Sequence, residues 1–210
     1  GTADASADRT ISVSASGSAA ADPDLAIVRV AVVTEAETAQ AARDGTASAA
    51  ESMRGALRDH GIPDEAMRTT YFRLDPVYDY SEDRRRLVAF RASHGFEIEV
   101  DPDRPGEIID VAIDTGATNV DGVQFTLTPS TRSDLRQAAI RTAVTNARTD
   151  ADTIAATTDV SITGLRSAST GSVDFIPFEA RAGSAETAGT VIEPGEVTVT
   201  ATVQITYSVN

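Results

Sequence analysis

Two histidines, His60 and His94, are the side chains of this 210-residue chain whose ordinary pKa suits acid–base work near neutral pH. His60 closes an apolar-periodic stretch just before Gly61, where it is either a general base or ligand or a helix C-terminal residue favoured by the dipole. His94 lies between Ala92 and Phe96 on one face of an alternating run, the position of a hydrogen-bonded core or contact histidine as much as of a ligand. Two histidines that do not converge make no zinc site. Asp101, Asp103 and Glu107 are spaced to hold a hard cation such as calcium or to cap a helix start, and EF-hand spacing is absent. Serines abound without a G-x-S-x-G elbow. The absence of Cys removes thiol nucleophiles and thiolate metal ligands. The absence of Lys removes Schiff-base chemistry and any P-loop. These residues assign no catalytic, metal or cofactor-binding position and call for no cofactor. A hydrolase using a histidine with a carboxylate, or a metal, stands as the alternative and needs the two to meet in a pocket.

The elements that would position such groups follow from periodicity. "ISVSASG" (11–17) alternates as a short strand, and "LAIVRVAVVTE" (25–35) is apolar on both faces, as a central strand is. From Thr38 the spacing turns helical through Ala42, Thr46, Ala49, Met53 and Leu57, then stops at Gly61 with Pro63 beyond. In "TTYFRLDPVYDYSEDRRRLVAF" (69–90), Phe72, Leu74, Pro76, Tyr78 and Tyr80 share one parity. Val88, Phe90, Ala92, His94, Phe96, Ile98 and Val100 share another, and the pair predicts a β-hairpin with one buried face that takes in the tyrosines. Pro76 makes its strand an edge or a bulge. The run Arg84–Arg86 either meets an acidic partner or neutralises Asp79, Glu82 and Asp83 at the turn.

A short inward-facing helix spans about 102–116, a strand 119–128, and a long helix 133–158 capped by Thr131 or Ser133. The long helix carries alanine at 139, 143, 147, 151 and 155, a smooth stripe for close packing. A strand follows from Val160. Residues 171–193 lack a period and read as a mobile loop, whose Phe175, Ile176 and Phe178 are the best candidates for partner contact. Residues 196–209 alternate again as a closing strand, and this strand with 11–17 would supply subunit contacts if both lie at sheet edges. The fold expected is α+β, an antiparallel sheet on a ferredoxin-like βαββαβ core from residue 25, with a long extra helix and further C-terminal strands. One domain over 10–210 follows a flexible leader of residues 1–9, a small, polar start that reads as processed.

Composition restricts partners. Thirty-two acidic residues face 18 basic ones, a net charge of -14, and every basic residue is Arg. Such acidity disfavours phosphate backbones, so no nucleic-acid partner is expected. The missing Lys beside the acid excess predicts a protein adapted to high salt. No apolar run is long enough to span a membrane.

"ISVSASGSAAADPDLAIVRVAVVTEAETAQAA", "TTYFRLDPVYDY", "FRASHGFEIEV", "GATNVDGVQFTL" and the closing "IEPGEVTVTATVQITYSV", in that order, resemble the SIMPL-domain family. The resemblance covers about residues 10 to 209 and implies an exported, extracytoplasmic protein at the cell surface or secreted, with anchoring through a removed N-terminal segment one form of this. It implies a non-enzymatic module: an oligomer, ring-like or channel-like in some members, or a binder of protein partners, with oxidative-stress protection as a role. An animal member associates with a signalling kinase, which keeps an adaptor reading open. No family catalytic residue maps onto this chain.

Overall fold

The computed structural model describes residues 8–81, 84–180 and 189–210. In chain order its elements are β1 (Thr10–Ala21), β2 (Leu25–Ala36), α1 (Ala39–Asp59), β3 (Met67–Asp79), β4 (Arg86–Val100), α2 (Pro105–Thr115), β5 (Asn119–Thr126), α3 (Pro129–Thr157), β6 (Ile162–Ile176), β7 (Phe178–Ala180) and β8 (Val197–Val209). A single 3₁₀ turn, Asp64–Ala66, leads into β3. The result is a mixed α/β protein with three α-helices and two antiparallel sheets among the described residues, ordered β3-β4-β2-β5-β7 and β1-β8-β6. Tertiary contacts divide the chain into two interleaved units. One holds Pro23–Thr126 and Phe178–Gly195, and the other the remaining segments.

The five-stranded unit runs β-α-β-β-α-β from β2 to β5. β2 lies mid-sheet between β4 and β5, as its mostly apolar sequence predicts, with Arg29 and Glu35 the charged exceptions on its outer face. Its Ala26, Val28, Val30 and Val32 pack with Met53 and Leu57 of α1, Ile108 and Ile109 of α2, and Phe96, Ile98, Val123 and Phe125. α1 begins where Thr38 accepts a hydrogen bond from the Ala41 N–H and ends where Gly61 takes φ +82°. The Gly61 N–H bonds to the Arg58 carbonyl and the Ile62 N–H to Leu57, both at 3.0 Å, the paired bonds of a Schellman stop. The opposite sheet face is polar: Arg29 donates to Glu97 and to Gln124, Arg68 also pairs with Glu97, and Arg91 with Glu35.

The three-stranded unit lays α3 along β1 and β8. Ala139, Ala143, Ala147, Ala151 and Ala155 are all buried, as the four-residue spacing predicts. Gly17 is the point of nearest approach, because a Cβ there would sit 2.3 Å from the Ala143 nitrogen and 2.6 Å from the Ala139 carbonyl oxygen. Away from α3 the sheet carries hydroxyls: Ser12 bonds Thr206 and Ser18 bonds Thr200, each at 2.9 Å, in register across β1 and β8.

Four expectations are corrected. α3 starts at Pro129 with Thr128 before it, not at Thr131 or Ser133, because proline's fixed φ and missing N–H suit the first helical position. β8 is the middle strand of its sheet, so only β1 of the two proposed contact strands is an edge. The segment read as a loop over 171–193 is strand through Ile176 and again over Phe178–Ala180, while 181–188 lie outside the described residues, as do residues 1–7 of the leader. The register shift between Thr170 and Val173 breaks the two-residue period that would have marked β6. Finally, the β3–β4 hairpin is not buried along one face. Pairing of β4 with β2 ends at Phe90, and pairing with β3 continues to Arg86, so the hairpin's far end is a two-stranded ribbon. Phe72 is 50% exposed, Leu74 40%, Tyr80 70%, Leu87 47% and Val88 42%. Pro76 does lie on an edge strand, as expected.

Candidate functional site

Where α1 crosses the β3–β4 strands a cleft of about 380 Å³ opens in the five-stranded unit. β4 sends His94 and Phe96 to its floor because they share the helix-facing parity with Ala92 and Ile98. β3 adds Phe72, the cross-strand partner of His94. The His94 ring lies over Phe96 with centroids 4.1 Å apart and 34° between planes, and meets Phe72 edge-on at 5.7 Å. α1 supplies the wall through Ala47 and Ala50, whose methyls leave the space that larger side chains would fill. Arg43, Arg54 and Arg58 rim it, with Glu51 and Asp64 between them.

The polar groups are paired in a definite pattern. Asp64 accepts from Arg58 at 3.0 Å and from Arg54 at 3.3 Å, and these bonds, Arg58 first, hold its carboxyl below the usual range. Arg58 also reaches Glu51 at 2.6 Å. The His94 Nε2 shares a 2.9 Å hydrogen bond with the Thr69 hydroxyl. Burial, with the Arg54 charge adding to it, pushes the imidazole below its ordinary pKa, so it is neutral at neutral pH. Among the described residues His94 has no carboxylate partner, and a triad requires one to orient its imidazole. The arrangement presents an aromatic floor, a neutral donor–acceptor ring and a guanidinium rim.

The other candidate residues are dispersed. His60 is the exposed cap of α1, its Nδ1 2.9 Å from the Ala56 carbonyl, and the Arg104 guanidinium donates to the His60 carbonyl at 2.7 Å. Asp101, Asp103 and Glu107 gather around Arg104, which bonds Glu107 at 3.0 Å, so a guanidinium stands where a bound cation was considered. No group of three potential metal ligands occurs among the described residues. At the hairpin turn Arg85 stacks 3.8 Å over Tyr78, Arg86 lies near Asp79, and Asp79 accepts from the Ser81 N–H and hydroxyl, while Glu82 and Asp83 lie outside the described residues. Phe175 packs into the three-stranded unit's core under Arg132, 3.9 Å away, and Ile176 is 62% exposed. Phe178 pairs with the buried Phe125 at 6.1 Å in the other unit.

The alternating pattern pointed to His94, but not to Thr69, Arg54 or Phe72 as its surroundings. A signal existed in the sequence: Arg43, Ala47, Arg54 and Arg58 fall on one helical face, an arginine row with small residues within it.

The profile of SIMPL, described as a protein of unknown function (DUF541), matches residues 11–207. The 26 kDa periplasmic immunogenic proteins of Brucella melitensis biotype 1 and of Brucella abortus (strain S19) are each 27% identical over 151 residues. The match covers 69% of this chain and 60% of each relative, so it spans about three fifths of the curated relatives' length. No helix among the described residues is long and apolar enough to cross a membrane.

Proposed function

The chain belongs to the SIMPL family, and from that membership we propose that it is an exported, non-enzymatic module of the cell envelope that works by self-association or by holding a protein partner. The periplasmic description of its Brucella relatives supports export. The protein operates in high salt, for which the all-arginine basic set and the net charge of -14 speak, and protection against oxidative stress is its role there. Its five-stranded unit is of the ferredoxin-like kind, a reading supported by the β-α-β-β-α-β order and the placing of β2 between β4 and β5.

The observation that carries the reading is the β3–β4 ribbon. An edge strand normally discourages pairing with charge, proline or burial. β3 has Pro76, yet it leaves Phe72 and Leu74 open on one face, and Leu87 and Val88, consecutive on β4, are exposed further along the ribbon. Such a ribbon is an association surface on a chain whose net charge otherwise keeps copies apart.

Absolute mass by light scattering after size exclusion, in molar salt, tests this. The expected result is a discrete oligomer that Leu74→Asp with Val88→Asp converts to monomer. A wild-type chain that stays monomeric at every concentration, and whose ribbon variant captures the same partners as wild type, would overturn it.

A further inference from the structure

The cleft beside His94 has a chemistry that assembly through the ribbon does not use. Its floor is aromatic on two sides, with the His94 ring laid over Phe96 and the Phe72 ring standing edge-on and half exposed. Three guanidiniums line its rim: Arg43 is paired with Asp44 at 2.9 Å and Arg58 with Glu51 and Asp64, which leaves Arg54 the least committed of the three. Arg54 has a single hydrogen bond among the described residues, the 3.3 Å contact to Asp64. Its remaining N–H groups have directional capacity for a second, bidentate acceptor. The cavity volume of about 380 Å³ falls in the range that small-ligand sites occupy.

We propose that this cleft binds a small aromatic carboxylate, its ring seated against His94 and Phe72 and its carboxylate held by Arg54 with Arg58 at the rim. The aromatic body and the anion answer different parts of the lining, so neither an aliphatic acid nor an uncharged arene satisfies both. His94, neutral beneath that rim, offers the ligand a ring surface without a competing charge. The inference goes beyond the assembly reading and shares only Phe72 with it.

The two histidines make the test specific. In the full chain at high salt, titration with 1-naphthoate should shift the His94 ring-proton NMR signal saturably and leave that of His60 in place. Arg54→Gln should weaken binding about tenfold, the loss expected for one charge-assisted contact. Ala47→Phe, at an exposed helix position, should abolish binding by filling the cleft. 1-Naphthalenemethanol, of the same shape without charge, should bind more weakly than the acid. If 1-naphthoate moved neither histidine, or moved His94 equally in wild type, Arg54→Gln and Ala47→Phe, the proposal would be wrong. The oligomeric mass, measured on the same samples, tells that failure apart from failure of the assembly reading.

Discussion

At the scale of single residues, His94 couples the cleft to pH. Its imidazole is kept from protonating by burial first and by the Arg54 charge second. The unfolded chain takes up a proton at this position near the ordinary histidine value, whereas the folded chain does so only at lower pH. Between the two values the unfolded state binds more protons, so stability rises with pH there and is lost as pH falls below about 6.5. Urea denaturation of wild type and His94→Gln at about pH 5 and about pH 7.5 isolates this part. The variant should lose less stability on acidification than wild type, and equal losses would show that His94 does not titrate differently on folding. Glu97 acts in the same sense at lower pH. Arg68 and then Arg29 hold its carboxyl low, so its contribution persists through this window and disappears only in stronger acid.

At the scale of elements, the two informative glycines differ in what they permit. Gly61 takes φ +82° with nothing within 4 Å of its missing Cβ, so alanine there costs only the backbone preference, roughly 1 kcal/mol. Gly17 is an ordinary strand residue pressed against the α3 backbone, and a methyl there must move a helix. Gly17→Ala should destabilise by about 1–3 kcal/mol, more than Gly61→Ala, in chemical denaturation of both variants. The reverse order would mean that α3 yields without cost. The alanine stripe that makes this contact was legible in the sequence because a four-residue spacing reports helical packing directly. α1 was legible for a similar reason: Thr38, Gly61 and Pro63 mark its ends with specific backbone chemistry. The burial of the hairpin was not. Alternation shows which residues of β3 share a face with Phe72, but not whether a helix reaches far enough to cover them. β6 escaped because its register shifts erase the period. Of the cleft, His94 could be singled out as lying on an apolar face. Its pairing with Phe72 and its distance from Ala47 depend on how a helix crosses two strands, which no local pattern encodes.

At the scale of the whole molecule, charge is the dominant variable. With 32 carboxylate residues against 18 arginines, self-repulsion opposes the compact state wherever it is not screened. The screening length is about 3 Å in molar salt and about 30 Å at 10 mM. The midpoint of thermal unfolding should therefore fall steadily as salt is lowered across that range, measured by circular dichroism at fixed pH. A midpoint independent of salt would remove the high-salt explanation of the missing Lys.

The two sheets are fastened on their open faces by different means. Across β1 and β8 the ties are hydroxyl to hydroxyl, Ser12 with Thr206 and Ser18 with Thr200. Across β4 and its neighbours they are ionic, Glu97 with Arg29 and Arg68, and Glu35 with Arg91. Hydroxyl ties neither gain nor lose a proton in any physiological medium, and dissolved ions do not weaken them as they weaken exposed ion pairs. The solvent thus acts as a selector between ties: acid or concentrated electrolyte loosens the ionic ones across β4 and leaves the hydroxyl ones across β1 and β8 in place, within a single chain whose segments thread through both.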